Sequence, residues 1–241
     1  MINLLRYNMM RVKKYGAFKI SVITVAAVGL ITVFLEKRQE DCYTHPYAHT
    51  YFSMVFMLIL IISFLAGNFI SKDYVDNTIR NKISIGHKRL DIFIANHITV
   101  FFMYILIALT WTTFYLLVGG FVLDTSEINK ETMLVGGAVM FFAILAFSGV
   151  AVFLSMTFKN TLGGMLPAGF FYATLFIDVF NELIDSKLLD FLTNFLPNLQ
   201  IISLNTDKCD DKPVLHIVFS ILIFIASFIG GYSIFRKTDL N

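Results

Sequence analysis

Three sets of residues in this sequence have side chains that could do chemistry. Cys42, His45 and His49 stand at C-x2-H-x3-H spacing and offer a thiolate and two imidazoles to a metal ion. A closed structural zinc site takes four such ligands, and no fourth is in view, so no metal site is expected. Cys42 has a second use. Cys209 is the other cysteine of the chain, no C-x-x-C pair exists, and an oxidising exterior would permit a bridge between the two. Two unrelated free thiols are equally compatible with the spacing. For nucleophilic catalysis, Ser148 lies in the middle of a long apolar run, but His97 and His216 sit near the ends of theirs and no base stands at its depth. H-E-x-x-H is absent, and no pair of aspartates lies within the apolar runs. Gly119-Gly120 and Gly163-Gly164 lack the Lys-Ser/Thr that would complete a phosphate loop. The chain is expected to hydrolyse no nucleotide, to catalyse no reaction and to hold no cofactor of its own.

Residues 71–91, SKDYVDNTIRNKISIGHKRLD, carry interaction chemistry of another kind. Lys72, Arg80, Lys82, Lys88 and Arg89 are cations, and Val75, Ile79 and Ile83 recur at i, i+4 and i+8. That spacing predicts one apolar face of a short helix, which Gly86 would end. Such a helix between two apolar runs suits docking into a groove on a soluble partner. A solvated basic loop that only sets orientation fits the same residues.

The elements around these residues follow from composition. Of 241 residues 57% are hydrophobic and 15% charged, with a mean hydropathy of +0.73. Soluble domains carry about 45–50% apolar and about 25% charged residues, so a disordered chain, a nucleic-acid binder and an ordinary soluble enzyme are excluded. Stretches free of Asp, Glu, Lys and Arg cover 20–35, 44–71, 92–123, 132–158, 160–177 and 213–235. A bilayer core about 30 Å thick takes roughly 20 helical residues. The prediction is an all-α, polytopic membrane protein, one domain over 1–241, with spans at about 16–35, 51–70, 93–122, 132–157, 161–178 and 213–235. The third run exceeds what a crossing needs, so part of it should tilt or project. Lys159-Asn160-Thr161, before Gly163-Gly164, reads as a tight turn between antiparallel spans. Pro167 then reads as a kink early in the fifth.

Six spans put both termini on one side, with residues 71–91 and Lys159. That side holds thirteen Lys and Arg against four Asp and Glu, and the other holds six against thirteen. The positive-inside rule makes the first side cytoplasmic. There, residues 2–14 place Ile2, Leu5, Met9 and Val12 at helical spacing, with Arg6, Arg11, Lys13 and Lys14 elsewhere on the wheel. This predicts an amphipathic helix in the headgroup plane, its cations against anionic lipid. On the outer side, residues 178–213 are too polar to span. The apolar patches 188–195 and 199–204 predict one or two small helices lying against the outer leaflet. Asn68, Asn96, His97 and His216 are expected near membrane edges. With no deep charge, the path suits an amphiphilic or apolar cargo better than an ion. Most of the 26 phenylalanines are packing or lipid contact. Phe-, Ile-, Lys- and Asn-rich usage points to an AT-rich bacterial genome.

Thr78-Ile79-Arg80-Asn81-Lys82-Ile83, followed by Gly86 and Arg89, resembles the first cytoplasmic loop of type-2 ABC exporter permeases, which often read G-T-I-R-N-K-L-x-x-G-x-x-R. The closing Tyr232-x-x-Phe235-x-Lys237-x-Asp239-Leu240 resembles the end of those proteins, as do the length, the six spans and the basic start. One departure is Asn77, where that family commonly has Gly. The resemblance implies a permease subunit in a bacterial plasma membrane. It implies that Thr78, Ile79, Arg80, Asn81, Lys82, Ile83, Gly86 and Arg89 form a coupling segment, with Arg80 or Lys82 paired to acids on a separate ATPase that binds ATP and Mg. A second permease chain would complete the path, and the cargo would be antimicrobial peptides or similar amphiphiles. A non-transporting membrane sensor or scaffold subunit is the rival reading.

Overall fold

The computed structural model describes residues 1–37, 46–123, 130–184, 186–203 and 212–237. Among the described residues the regular structure is helical throughout, with no strand. Cys42, His45 and Cys209 lie outside the described residues, as does the side chain of His49, so the bridge and the metal triad are not placed.

Helix α1 (Ile2–Lys14) carries Arg11, Lys13 and Lys14 in its last turn, where they meet the negative end of the helix dipole. Tyr15, with ψ 99°, is extended and breaks the direction before α2 (Gly16–Lys37). Then come α3 (Pro46–Val75), α4 (Thr78–Ser84), α5 (Arg89–Val122), α6 (Lys130–Phe158) and α7 (Thr161–Leu183). The chain closes with α8 (Lys187–Phe195), α9 (Pro197–Ser203) and α10 (Pro213–Lys237). Six of these hold a stretch long and apolar enough to cross a membrane: α2, α3, α5, α6, α7 and α10. Each overlaps one predicted span; α3 starts and ends five residues outside the second, and α7 ends five residues beyond the fifth. At its C-terminal end α3 runs on through Lys72 and Asp73 to Val75, because the Asp73 carboxylate finds partners inside the protein. Helix α5, at 34 residues, is about 51 Å long against a core of about 30 Å, so the expected excess is there.

Helices α3, α5 and α6 form the centre. Their apolar stretches are 61, 61 and 56% buried, against 28, 29 and 17% for α2, α7 and α10. Phe93, Val100, Met103, Tyr104, Ile107, Trp111 and Tyr115 line the inward face of α5. Polar groups along it pair with neighbouring helices. Ser63 and Tyr104 share a hydrogen bond of 2.7 Å, as do Tyr51 and Thr112, and Tyr115 donates to buried Glu36 at 2.6 Å. Lipid gives helices no hydrophobic reason to associate, so close backbone contact carries the packing. Gly67 of α3 and Gly164 of α7 supply it, since a Cβ on Gly67 would collide with the Gly164 carbonyl. Lys159, at φ 50°, and Asn160, whose Oδ1 accepts from the Gly163 N–H at 3.2 Å, make the expected turn into α7. Pro167 lies within a helix that continues past it.

The far end differs in part from expectation. Helix α8 lies exposed, with Leu188 and Phe191 outward. Helix α9 does not lie on a surface: Asn198, Leu199, Gln200 and Ile201 are buried between α3, α6, α7 and α10. Its amides permit this. Gln200 donates to the Asn194 and Phe195 carbonyls at 2.9 and 3.3 Å and accepts from Ser220 at 2.9 Å, and Asn198 donates to Thr174.

Candidate docking site at the elbow between α3 and α5

The backbone of the elbow is held by two residues in the left-handed region. Asn77, at φ 52° and ψ 19°, turns the chain from α3 into α4. Asn is among the few side chains that tolerate this conformation, so it can stand where the resembling family has Gly. At the other end Gly86 has φ 97°. Its N–H reaches the Ile83 carbonyl at 2.9 Å, and the His87 N–H reaches that of Lys82 at 3.1 Å. This is the Schellman ending, and it favours Gly because a side chain there is strained. Lys88 is extended and α5 begins at Arg89, with Asp91 in its first turn.

Inside the elbow sits a charged cluster. Asp73, 1% exposed, forms ion pairs with Arg11 of α1 and, at 3.0 Å, with Lys82 of α4. Lys82 also donates to Asn8 Oδ1 at 3.4 Å, and Asn8 Nδ2 donates to Asn96 Oδ1 of α5 at 3.0 Å. Arg11 donates to the Phe69 carbonyl at 3.3 Å and lies 4.4 Å over the Phe69 ring. Burial pushes the Lys82 ammonium below its ordinary pKa, the charge and hydrogen bond of Asp73 push it back up, and Arg11 adds a smaller downward push. Two further bonds reach other helices. The Tyr74 hydroxyl donates to the Met156 carbonyl of α6 at 3.1 Å. Arg89 Nη1 donates to the Phe235 and Arg236 carbonyls at the end of α10, at 3.0 and 2.9 Å. The N-terminal helix, the elbow and the end of α10 thus share one end of the bundle.

The predicted coupling residues divide between inside and outside. Arg80, Asn81 and Gly86 are exposed, and Thr78, Ile83 and Arg89 are half-buried. Ile79 and Lys82 are buried, at 1 and 6% exposure. The apolar face expected from Val75, Ile79 and Ile83 does not form. The chain breaks at Asp76-Asn77, so Val75 belongs to α3 and points out, while Ile79 turns inward. The outward apolar residues are Val75 and Ile85, at 59 and 78% exposure, flanking Arg80 and Asn81. Of the two cations expected to meet a partner's acids, Lys82 is occupied by Asp73 and Arg80 is outward.

Asp73, Arg11, Asn8, Asn96 and Ile85 belong to this site and sequence reasoning did not single them out together. Asp73 carried a signal, as an acid closing an apolar run on a strongly basic side. Asn96 and His97, near the start of α5, are both buried inside the protein, Asn96 among α1 and α6, and His97 against the rings of Phe93 and Phe228 at 4.4 and 5.0 Å. His216 is buried too, within 3.3 Å of Asn194 Oδ1. Among the described residues no three His, Cys, Asp or Glu gather to hold a metal ion.

A comparison with curated proteins returns no match. The family model described as "ABC-2 family transporter protein" matches residues 4–176. That stretch takes in nearly all of α1, the elbow and most of α7. With six helices fit to cross a bilayer and a match over well more than half of its length, this multi-pass membrane chain belongs to the ABC-2 family of transporter proteins.

Proposed function

We propose that the chain is the permease subunit of an ATP-driven exporter, moved by a separate ABC ATPase that docks on α4. Family membership supports the subunit and its motor. One observation carries the docking site: a two-turn helix anchored from inside by Ile79 and Lys82 holds Arg80, Asn81 and Ile85 outward as a fixed knob. A preorganised apolar side chain beside a cation loses little freedom on binding an acidic-rimmed groove. ATP and Mg belong to the motor, and this chain supplies no catalytic residue. The excess of Lys and Arg on that side supports a cytoplasmic elbow and cytoplasmic termini, in a bacterial plasma membrane.

A second permease chain pairs with this one. The mostly open apolar faces of α2, α7 and α10 offer lipid and a second chain their surface. Amphiphiles such as antimicrobial peptides are the cargo, a reading supported by span hydroxyls that are taken up by one another or by backbone carbonyls.

Replacing Arg80 and Ile85 together with Asp tests the docking site. Membrane insertion should persist while the co-purified ATPase is lost. An unchanged yield of ATPase would reject this surface as the motor's seat.

A further inference from the structure

We infer that Asp73 is the positioning residue of the docking elbow, and that through it α1 and α4 move as one body, so that a pull on α4 reaches α2 as well as α3 and α5. The inference rests on the reading of α4 as the docking segment and adds the route by which its movement spreads.

Asp73 and Lys82 are buried and Arg11 is half-buried. Orientation in the membrane asks only for cations near span ends, and the exposed Arg6, Lys13, Lys14, Lys72 and Lys88 meet that need. Nothing in that role requires an aspartate at 1% exposure between two cations. Removing charges from water is unfavourable unless geometry returns the energy, and the best-attested use of such groups is to fix register. Here they fix the register of α1, distant in the chain, against α3 and α4, which only Asp76 and Asn77 separate. Asp73 closes α3, Lys82 is on α4, and Arg11 is on α1, 62 residues earlier in the chain. Asn8 adds a second tie, accepting from Lys82 and donating to Asn96 of α5.

The link from α1 to α2 has no slack. Tyr15 alone separates them, its N–H bonded to the Val12 carbonyl at 3.0 Å and its carbonyl accepting from Lys19 at 3.2 Å. Displacement of α4 therefore moves Arg11 and Asn8, and with them the start of α2. Without the aspartate, Arg11 and Lys82 repel, and α1 can lag behind the elbow.

Two measurements on the permease purified with its ATPase in lipid nanodiscs test this. In a background of Cys42→Ser and Cys209→Ser, spin labels at Met10→Cys on α1 and Ser84→Cys on α4 report their separation. The inference predicts the same distance distribution without nucleotide and with vanadate-trapped ATP. It predicts that Asp73→Asn broadens this distribution and weakens the permease's effect on ATP turnover about tenfold, a usual size for coupling between sites. The amount of bound ATPase should stay as in the native protein, and Asp73→Glu should restore both readouts. A native distance that shifts on trapping would overturn the one-body movement, whatever the stability of the variant. An Asp73→Asn protein with native distances and native turnover would overturn the positioning role. So would loss of bound ATPase in Asp73→Asn at native Met10–Ser84 label distances, since Asp73 would then serve the seating of the partner and not the joint movement of α1 and α4. Failure of the docking reading itself shows elsewhere, as an Arg80→Asp, Ile85→Asp protein that still binds ATPase.

Discussion

The two ends of this bundle are closed by different chemistry. At the elbow end, Asp73, Arg11 and Lys82 bring full charges together, and Arg89 fastens the last carbonyls of α10. At the far end, α9 enters the bundle on neutral groups: Gln200, Asn198, Thr174 and Ser220. Charge-assisted bonds are about twice as strong as neutral ones and are directional. Neutral amides can exchange partners at small expense, and in membranes such bonds average only about 0.6 kcal/mol. One end is tied by full charges, and at the other α9 is held by neutral hydrogen bonds.

This contrast orders the expected mutational effects. Asp73→Asn should be the most severe, lowering stability by about 3–5 kcal/mol because it leaves the buried Lys82 and the half-buried Arg11 without a counter-charge. Thermal unfolding in detergent measures it, and a drop of less than about 1 kcal/mol would remove the distinction between the ends. Gly86→Ala comes next, at about 1–2 kcal/mol, since φ 97° strains a residue with a Cβ. Gln200→Leu should lower stability by about 1 kcal/mol, the scale of a neutral intramembrane bond. If it matched Asp73→Asn, the far end would be as rigid as the elbow. Arg80→Asp should be nearly silent in the same assay, within about 0.5 kcal/mol, because the side chain is exposed. Its effect should appear only in ATPase association.

Much of the architecture was legible in the sequence because lipid imposes long apolar runs. The spans, the turn at Lys159, the breaker at Gly86 and the shared end of both termini all follow from length, charge and a few backbone-setting residues. The docking segment was legible as a stretch but not as a surface. Helical periodicity counted Val75, Ile79 and Ile83 as one face, and a single left-handed residue, Asn77, divided them. Lys82 read as a surface cation because its partner Arg11–Asp73 pair is assembled from distant sequence. Helix α9 read as a helix on the outer leaflet because its short apolar patch lies in a segment too polar to span, while its buried amides find partners inside the bundle.

The proposed seat of the nucleotide-burning partner is the outward rim of α4 and not its inward face. A photo-crosslinking residue placed at Ile85, and separately at Ile79, in the intact membrane complex tests it most directly. An ATPase adduct should form from position 85 and none from position 79. Adducts from neither position, or from position 79 in preference, would contradict it.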